Sequence, residues 1–194
     1  MQHSADDDLI RYHIYLASNV EYSTHLLKLC EHCVQNEKKV LLLTENCEML
    51  YLVDTMEKPR SLAHMERCMS IVALKEIESA PRHIIELFDC LPRPQLIVFD
   101  MNSIVAAELI SNTQLQILIR HMAKCAAAFC NYMQMQNMFK HACNIDAIVI
   151  MPTAKYPLTS AHLKLLIGLY FSTNPLYTNF AALVESIRQS QSLH

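Results

Sequence analysis

The sequence predicts a single α/β domain built on a mostly parallel sheet flanked by helices, and three observations carry that prediction. Short, continuous apolar runs recur along the chain, as expected of strands buried on both faces. They are Lys39–Leu43 (KVLLL), Leu96–Phe99 (LIVF) and Ile145–Met151 (IDAIVIM). Helical-period segments alternate with them, the pattern of strand–helix–strand units. The 194 residues are 52% hydrophobic and 18% charged, which suits one sizeable core and excludes a disordered chain.

Taken in order, Arg11–Leu16 (RYHIYL) reads as the first strand. Ser23 or Thr24 then caps a helix running to about Gln35, because Leu26, Leu27, Leu29, Cys30, Cys33 and Val34 recur at helical spacing. KVLLL is the second strand, with Lys38 and Lys39 as its solvated start. Met69–Leu74 (MSIVAL) is a third. Arg82–Cys90 reads as a short helix ended by Pro92 and Pro94. Leu96–Phe99 is the clearest buried strand and stops at Asp100. A long helix follows from about Thr113 to Phe129, with Leu115, Leu118, Ile119, Met122 and Ala126 on one face.

Asn131–Asn144 is rich in Met and Asn and reads as an insertion or loop. Its Met133, Met135 and Met138 either form an adaptable apolar surface or pack beneath the insertion. Ile145–Met151 is a strand, Pro152–Ser160 a loop and Ala161–Phe171 a helix. Pro175–Ile187 is expected to hold one or two last strands, with Tyr170, Phe171, Leu176 and Tyr177 as core beside a sheet edge. Residues 1–10 and 189–194 read as flexible ends around a domain spanning 11–188.

Composition excludes several functions. Gly168 is the only glycine. Phosphate-cradling loops need glycine for left-handed backbone and for close approach to the phosphates, so no working phosphate loop is present. A serine nucleophile elbow fails on the same count, and no catalytic residue is assigned. The net charge of −3 does not suit a protein that coats nucleic acid by itself. No apolar run approaches the roughly 18–20 residues of a membrane span, and the acidic start Met1–Asp8 is unlike a signal peptide. A soluble intracellular protein with eight reduced cysteines is expected. Cys30 and Cys33 resemble half a zinc site that His121, Cys125, Cys130, His141 or Cys143 could complete, but both pairs fall on helices and read as buried thiols.

The run KVLLLTE, the strand LIVFD after a short helix, the helix Ile117–Phe129, IDAIVIMPT and Leu163–Leu176 (LKLLIGLYFSTNPL) occur in an order that resembles the ATPase core of the RecA-like recombinases. Within that family the chain is most similar to the small recombinase-paralogue subunits of Shu-type complexes, the partners of a SWIM-domain protein. The resemblance covers most of residues 11–187.

The resemblance also shows what has changed. The place of GxxxxGK[ST] holds Ala17, Ser18, Asn19, Val20, Glu21, Tyr22, Ser23 and Thr24. Ala17 and Tyr22 replace the glycines, Ser23 replaces the lysine and only Thr24 remains. Tyr22 fills space that phosphates need, and Glu21 adds negative charge there. Vertebrate-type subunits keep a recognisable phosphate loop; this chain does not. Asp100 matches the aspartate that helps to hold Mg²⁺ in working ATPases, and Glu45 falls where some members carry a catalytic glutamate.

The resemblance implies a nuclear pseudo-ATPase without a bound cofactor. It would associate with a SWIM-domain protein and with strand-exchange recombinases and their paralogues, and support filaments on single-stranded DNA. Loops that approach DNA in recombinases correspond to Ala106–Asn112, which has no basic residue, and Thr153–Ser160, which offers Lys155 and Tyr156. The plainer reading of those two is a solvated loop. Two rival expectations stand. One is a structural subunit of an Elongator-type tRNA-modification complex, whose RecA-like subunits also lack these motifs. The other is a weak ATPase that uses Thr24 and Asp100 with a partner's lysine.

Overall fold

The computed structural model describes residues 10–17, 22–46, 68–74, 94–110, 114–138, 145–155, 158–171 and 176–192. The helix expected over Arg82–Cys90 lies outside them. The strands are β1 (Ile10–Ala17), β2 (Val40–Thr44), β3 (Met69–Val72), β4 (Leu96–Asp100), β5 (Ile145–Pro152) and β6 (Leu176–Tyr177). The helices are α1 (Tyr22–Gln35), α2 (Met101–Ile110), α3 (Leu115–Met138), α4 (Ser160–Tyr170) and α5 (Phe180–Ser192). The described strands form one six-stranded sheet in the order β3-β2-β4-β5-β1-β6, parallel throughout. This is a RecA-like α/β fold in which β5 separates β1 from β4.

The continuous apolar runs are explained by the pleat, which sends alternate residues into two different cores. Leu41, Leu43, Ile97, Phe99, Ala147 and Val149 face α2, α3 and α4. Val40, Leu42, Leu96, Val98, Ile148 and Ile150 face α1 and α5. Each fully buried aliphatic or aromatic side chain contributes about 1.5–3 kcal/mol relative to exposure. Phe99 and Phe129 stack with centroids 4.5 Å apart, and Phe171 tilts against both. That trio ties the central strand to α3 and to the end of α4.

Five expectations need correction. Helix α1 begins at Tyr22, so Ser23 and Thr24 lie within its first turn and are not its cap. Helix α3 runs to Met138, through much of the supposed insertion. Its buried positions Met122, Cys125, Ala126, Phe129, Tyr132, Met133 and Gln136 continue one helical stripe, and Met133 is core. The tail holds one two-residue strand and then a helix, with Phe180, Leu183 and Ile187 buried at helical spacing. Asn179 starts that helix: its Oδ1 accepts hydrogen bonds from the Ala181 and Ala182 amides. Helix α5 extends to Ser192, into the expected tail. Finally, Ala106–Ile110, expected in a loop, are the last turns of α2.

One turn meets a backbone demand without glycine. After α1, Glu37 adopts φ 58°. The Lys38 amide donates to the Cys33 carbonyl at 2.9 Å and the Glu37 amide to the Val34 carbonyl at 3.0 Å. These are the two bonds of a Schellman closure, whose left-handed position glycine usually takes.

Candidate functional site

In parallel α/β sheets, ligands bind beyond the carboxyl ends of the strands. At that edge several described residues gather around Asp100. On β4 the alternation that sends Leu96 and Val98 toward α1 sends Asp100 the same way. The β2–β4 register sets Thr44 directly beside Asp100, and Val40 and Leu42 show that Thr44 shares that face. Tyr22, in the first turn of α1, comes down onto the pair.

The Tyr22 hydroxyl lies 3.3 Å from each carboxylate oxygen of Asp100, to which it donates. Thr44 Oγ1 donates to Oδ2 at 3.1 Å, and the Ser103 amide donates to Oδ1 at 3.2 Å. Asn102 Nδ2 donates to the Tyr22 oxygen at 3.0 Å, and the Asn102 backbone supplies a further hydrogen bond to Asp100. Ser103 Oγ donates to the Asp100 carbonyl at 2.6 Å and accepts from the Glu45 amide at 2.8 Å. The Asn46 amide donates to Thr44 Oγ1 at 3.0 Å.

An ionised carboxylate has about four lone-pair positions. Donors from three elements fill those of Asp100. The Ser103 contact is also what an N-cap makes, so Asp100 caps α2 as well. A metal-holding carboxylate needs lone pairs left over, and this one has its own protein donors on both oxygens.

Burial is the largest influence on the Asp100 carboxyl, which is 1% exposed, and it pushes the pKa up from 3.8 to about 6. The hydrogen bonds from Thr44, Ser103, Tyr22 and Asn102 pull it back part of the way. Burial likewise raises the Tyr22 phenol, with the Asp100 charge adding to it.

The predicted site residues separate into three groups. Ala17, Tyr22 and Asp100 are buried at one edge, with Tyr22 and Asp100 in contact. Thr24 is exposed and two residues past Tyr22, which at 3.6 residues per turn carries it to another face of α1. Ser23 is half-buried on α1, and Lys155 is exposed after β5. Ser18, Asn19, Val20, Glu21 and Tyr156 lie outside the described residues. Glu45 touches the network through its backbone amide.

Thr44, Asn102 and Ser103 were not read as site residues from the sequence. For Asn102 and Ser103 a signal exists: Asp100-Met101-Asn102-Ser103 places an N-cap acid three residues before a polar residue at a helix start.

Among the described residues the two candidate zinc pairs do not converge. Cys30 and Cys33 lie in the core on the α1 side of the sheet, whereas Cys125 belongs to the core on the other side and Cys130 packs against it. Among the described residues no group of three or more His, Cys, Asp or Glu could hold a metal. His141 and Cys143 lie outside them. Burial raises the Cys30 thiol and pushes Cys33 up to about 11, so both are inert apolar fillers.

A second charged cluster sits at the opposite edge. Arg11 and Asp146 are register partners, with Arg11 Nη2 donating to Oδ2 at 3.1 Å and Nε 3.1 Å from Oδ1. His13 Nε2 lies 3.2 Å from the same Oδ1. Asp146 is 1% exposed, so the cluster neutralises a buried acid at the amino end of β5.

No family model matches the chain, and no curated protein matches it. Among the described residues no helix is long and apolar enough to cross a membrane.

Proposed function

We propose that this chain is a RecA-like pseudo-ATPase that acts by association, as the recombinase-paralogue subunit of a Shu-type mediator. Its role in that reading is to help assemble or steady recombinase filaments on single-stranded DNA in the nucleus. Its partners are a SWIM-domain protein and strand-exchange recombinases or their paralogues.

The observation that carries the non-catalytic half is the Tyr22 hydroxyl on both oxygens of Asp100. A side chain occupies the place where a phosphate loop would turn, and the acid that would serve Mg²⁺ is bonded inside the protein. Thr24, exposed on another face of α1, does not share Asp100 with it, which argues against a partner-completed ATPase. The recombination half rests on the resemblance of KVLLLTE, LIVFD and IDAIVIMPT, in their order along the RecA-like fold.

The test is affinity purification of the tagged chain from its own cells, with the bound proteins identified by mass spectrometry. Recovery of a SWIM-domain protein or a strand-exchange recombinase is the expected result. Recovery of tRNA-modification subunits without any recombination factor would overturn the assignment and favour the Elongator-type alternative.

A further inference from the structure

The only glycine of the chain stands where its own fold does not require one. Gly168 lies inside α4 on the exposed side, and a Cβ built there meets no heavy atom within 4 Å. Its φ is not left-handed. Glycine inside a helix is destabilising relative to alanine, because its backbone loses the most freedom on folding. Such a residue is useful where another backbone must come close.

The surroundings of Gly168 fit that use. Leu165 and Leu169 are 59% and 65% exposed. With Ala161, they and Gly168 follow the i, i+4, i+7, i+8 spacing of one helical stripe. The opposite stripe, Leu163 and Leu166, is already buried in the core. Leu176 on edge strand β6 is 54% exposed and pairs in register with Ile14, which belongs to the core on the α4 side of the sheet. Helix α4 thus has a second apolar face with a notch in it, and the exposed Leu176 lies on the same side of the sheet.

Charge says what covers this face. Helices α3 and α4 contain no Asp or Glu, although the whole chain is net negative at −3. Arg120, Lys124 and Lys164 on them are exposed. The two helices share one core, and Cys130 Sγ lies 3.6 Å from the Tyr170 carbonyl, so they run side by side.

We infer that the outer face of α4 docks an amphipathic helix of a protein partner. The partner's apolar stripe lies on Leu165, Leu169 and Leu176, its backbone crosses at Gly168, and carboxylates on its flanks meet Arg120, Lys124 and Lys164. This inference rests on the reading that the chain works by association, and it is independent of which assembly that is.

The test places a photo-crosslinking phenylalanine analogue at position 169 of the full chain in its own cells, with position 189 on α5 as an exposed control. The cross-linked peptide is then sequenced by mass spectrometry. The expected product is a partner segment with apolar residues at helical spacing and Asp or Glu on both flanks. The yield should be at least tenfold above the control and should fall at least tenfold when Gly168→Leu is added.

Leucine is a better helix former than glycine, so circular dichroism and thermal unfolding should show that variant folded and no less stable. Cross-linking to a second copy of this chain, to a basic segment, or at no more than the control yield would overturn the inference. So would a yield unchanged by Gly168→Leu in the folded protein. The identity of the captured protein judges the proposed assembly separately, because the chemistry of the segment is read whatever its source.

Discussion

The buried acid at the sheet edge makes a pH-dependent prediction with a definite sign. Burial raises the Asp100 pKa from 3.8 to about 6 in the folded protein. The native state therefore holds the Asp100 proton more tightly than the unfolded chain does. Stability from this group is fully present below the unfolded value and is lost as pH rises through the folded one. At about 1.4 kcal/mol for each tenfold change in proton affinity, the loss is about 3 kcal/mol. Asp100→Asn keeps the shape and abolishes the titration. Its carbonyl still accepts from the Ser103 amide, but its amide nitrogen cannot accept from Thr44 or Tyr22, a cost that does not vary with pH. Urea unfolding of both proteins from pH 4 to pH 8 isolates the group, because the other titrations are common to the two. Because the unfolded group is already about half ionised at pH 4, the stability of the parent minus that of Asp100→Asn should fall by about 2 kcal/mol between pH 4 and pH 7. A difference that stays level or rises would refute the reasoning. It would mean that the donors outweigh burial and that Asp100 is held as a charge-ready ligand.

Further predictions concern single side chains. Tyr22→Phe removes one donor from the Asp100 carboxylate and should cost about 1.5–3 kcal/mol at pH 8, and less at pH 4, in the same unfolding assay. Glu37→Gly relieves the left-handed position after α1 and should raise the thermal midpoint by about 2–4 °C, read by circular dichroism. Gly168→Ala adds a methyl in open space and should stabilise the isolated chain by about 0.5–1 kcal/mol, read by urea unfolding. Mg–ATP should leave the midpoint of the isolated chain unmoved, whereas a site filled at a hundred times its Kd would gain about 2.7 kcal/mol.

The sheet was legible because its central strands are covered on both faces. In Val40–Thr44, Leu96–Asp100 and Ile145–Pro152 every residue is buried, so the apolar run itself marks the strand. The helices were legible only where one face was polar. Helix α1, with six buried positions at helical spacing, was found almost whole. Helix α2 was missed because its apolar residues go all the way round, which erases the period. The second half of α3 was hidden by Asn131 and Asn137, which read as loop residues although Tyr132, Met133 and Gln136 anchor that stretch. At the tail, Leu176-Tyr177 carries the strand signal, and the period of Phe180, Leu183 and Ile187 was overlooked.

The site was half legible for a related reason. The shortage of glycine, which leaves no phosphate loop possible, shows in sequence, but the surroundings of Asp100 do not. A buried carboxylate without a cation or phosphate-bound metal nearby must be protonated or must find donors. Asp100 finds them in Tyr22, Thr44 and Ser103, drawn from α1, the end of β2 and the start of α2. Those residues are 78, 56 and 3 positions away along the chain, so only the nearest could be read as its partner from the sequence. On the proposed reading, the residue that replaces a loop glycine and the residue that bonds the acid are the same one. Tyr22 satisfies the buried acid with its hydroxyl, and on the proposed reading it also stands in the place of the loop's second glycine. Restoring glycine at position 22 alone would then leave Asp100 buried with fewer donors, a less stable protein and no lysine to hold a phosphate.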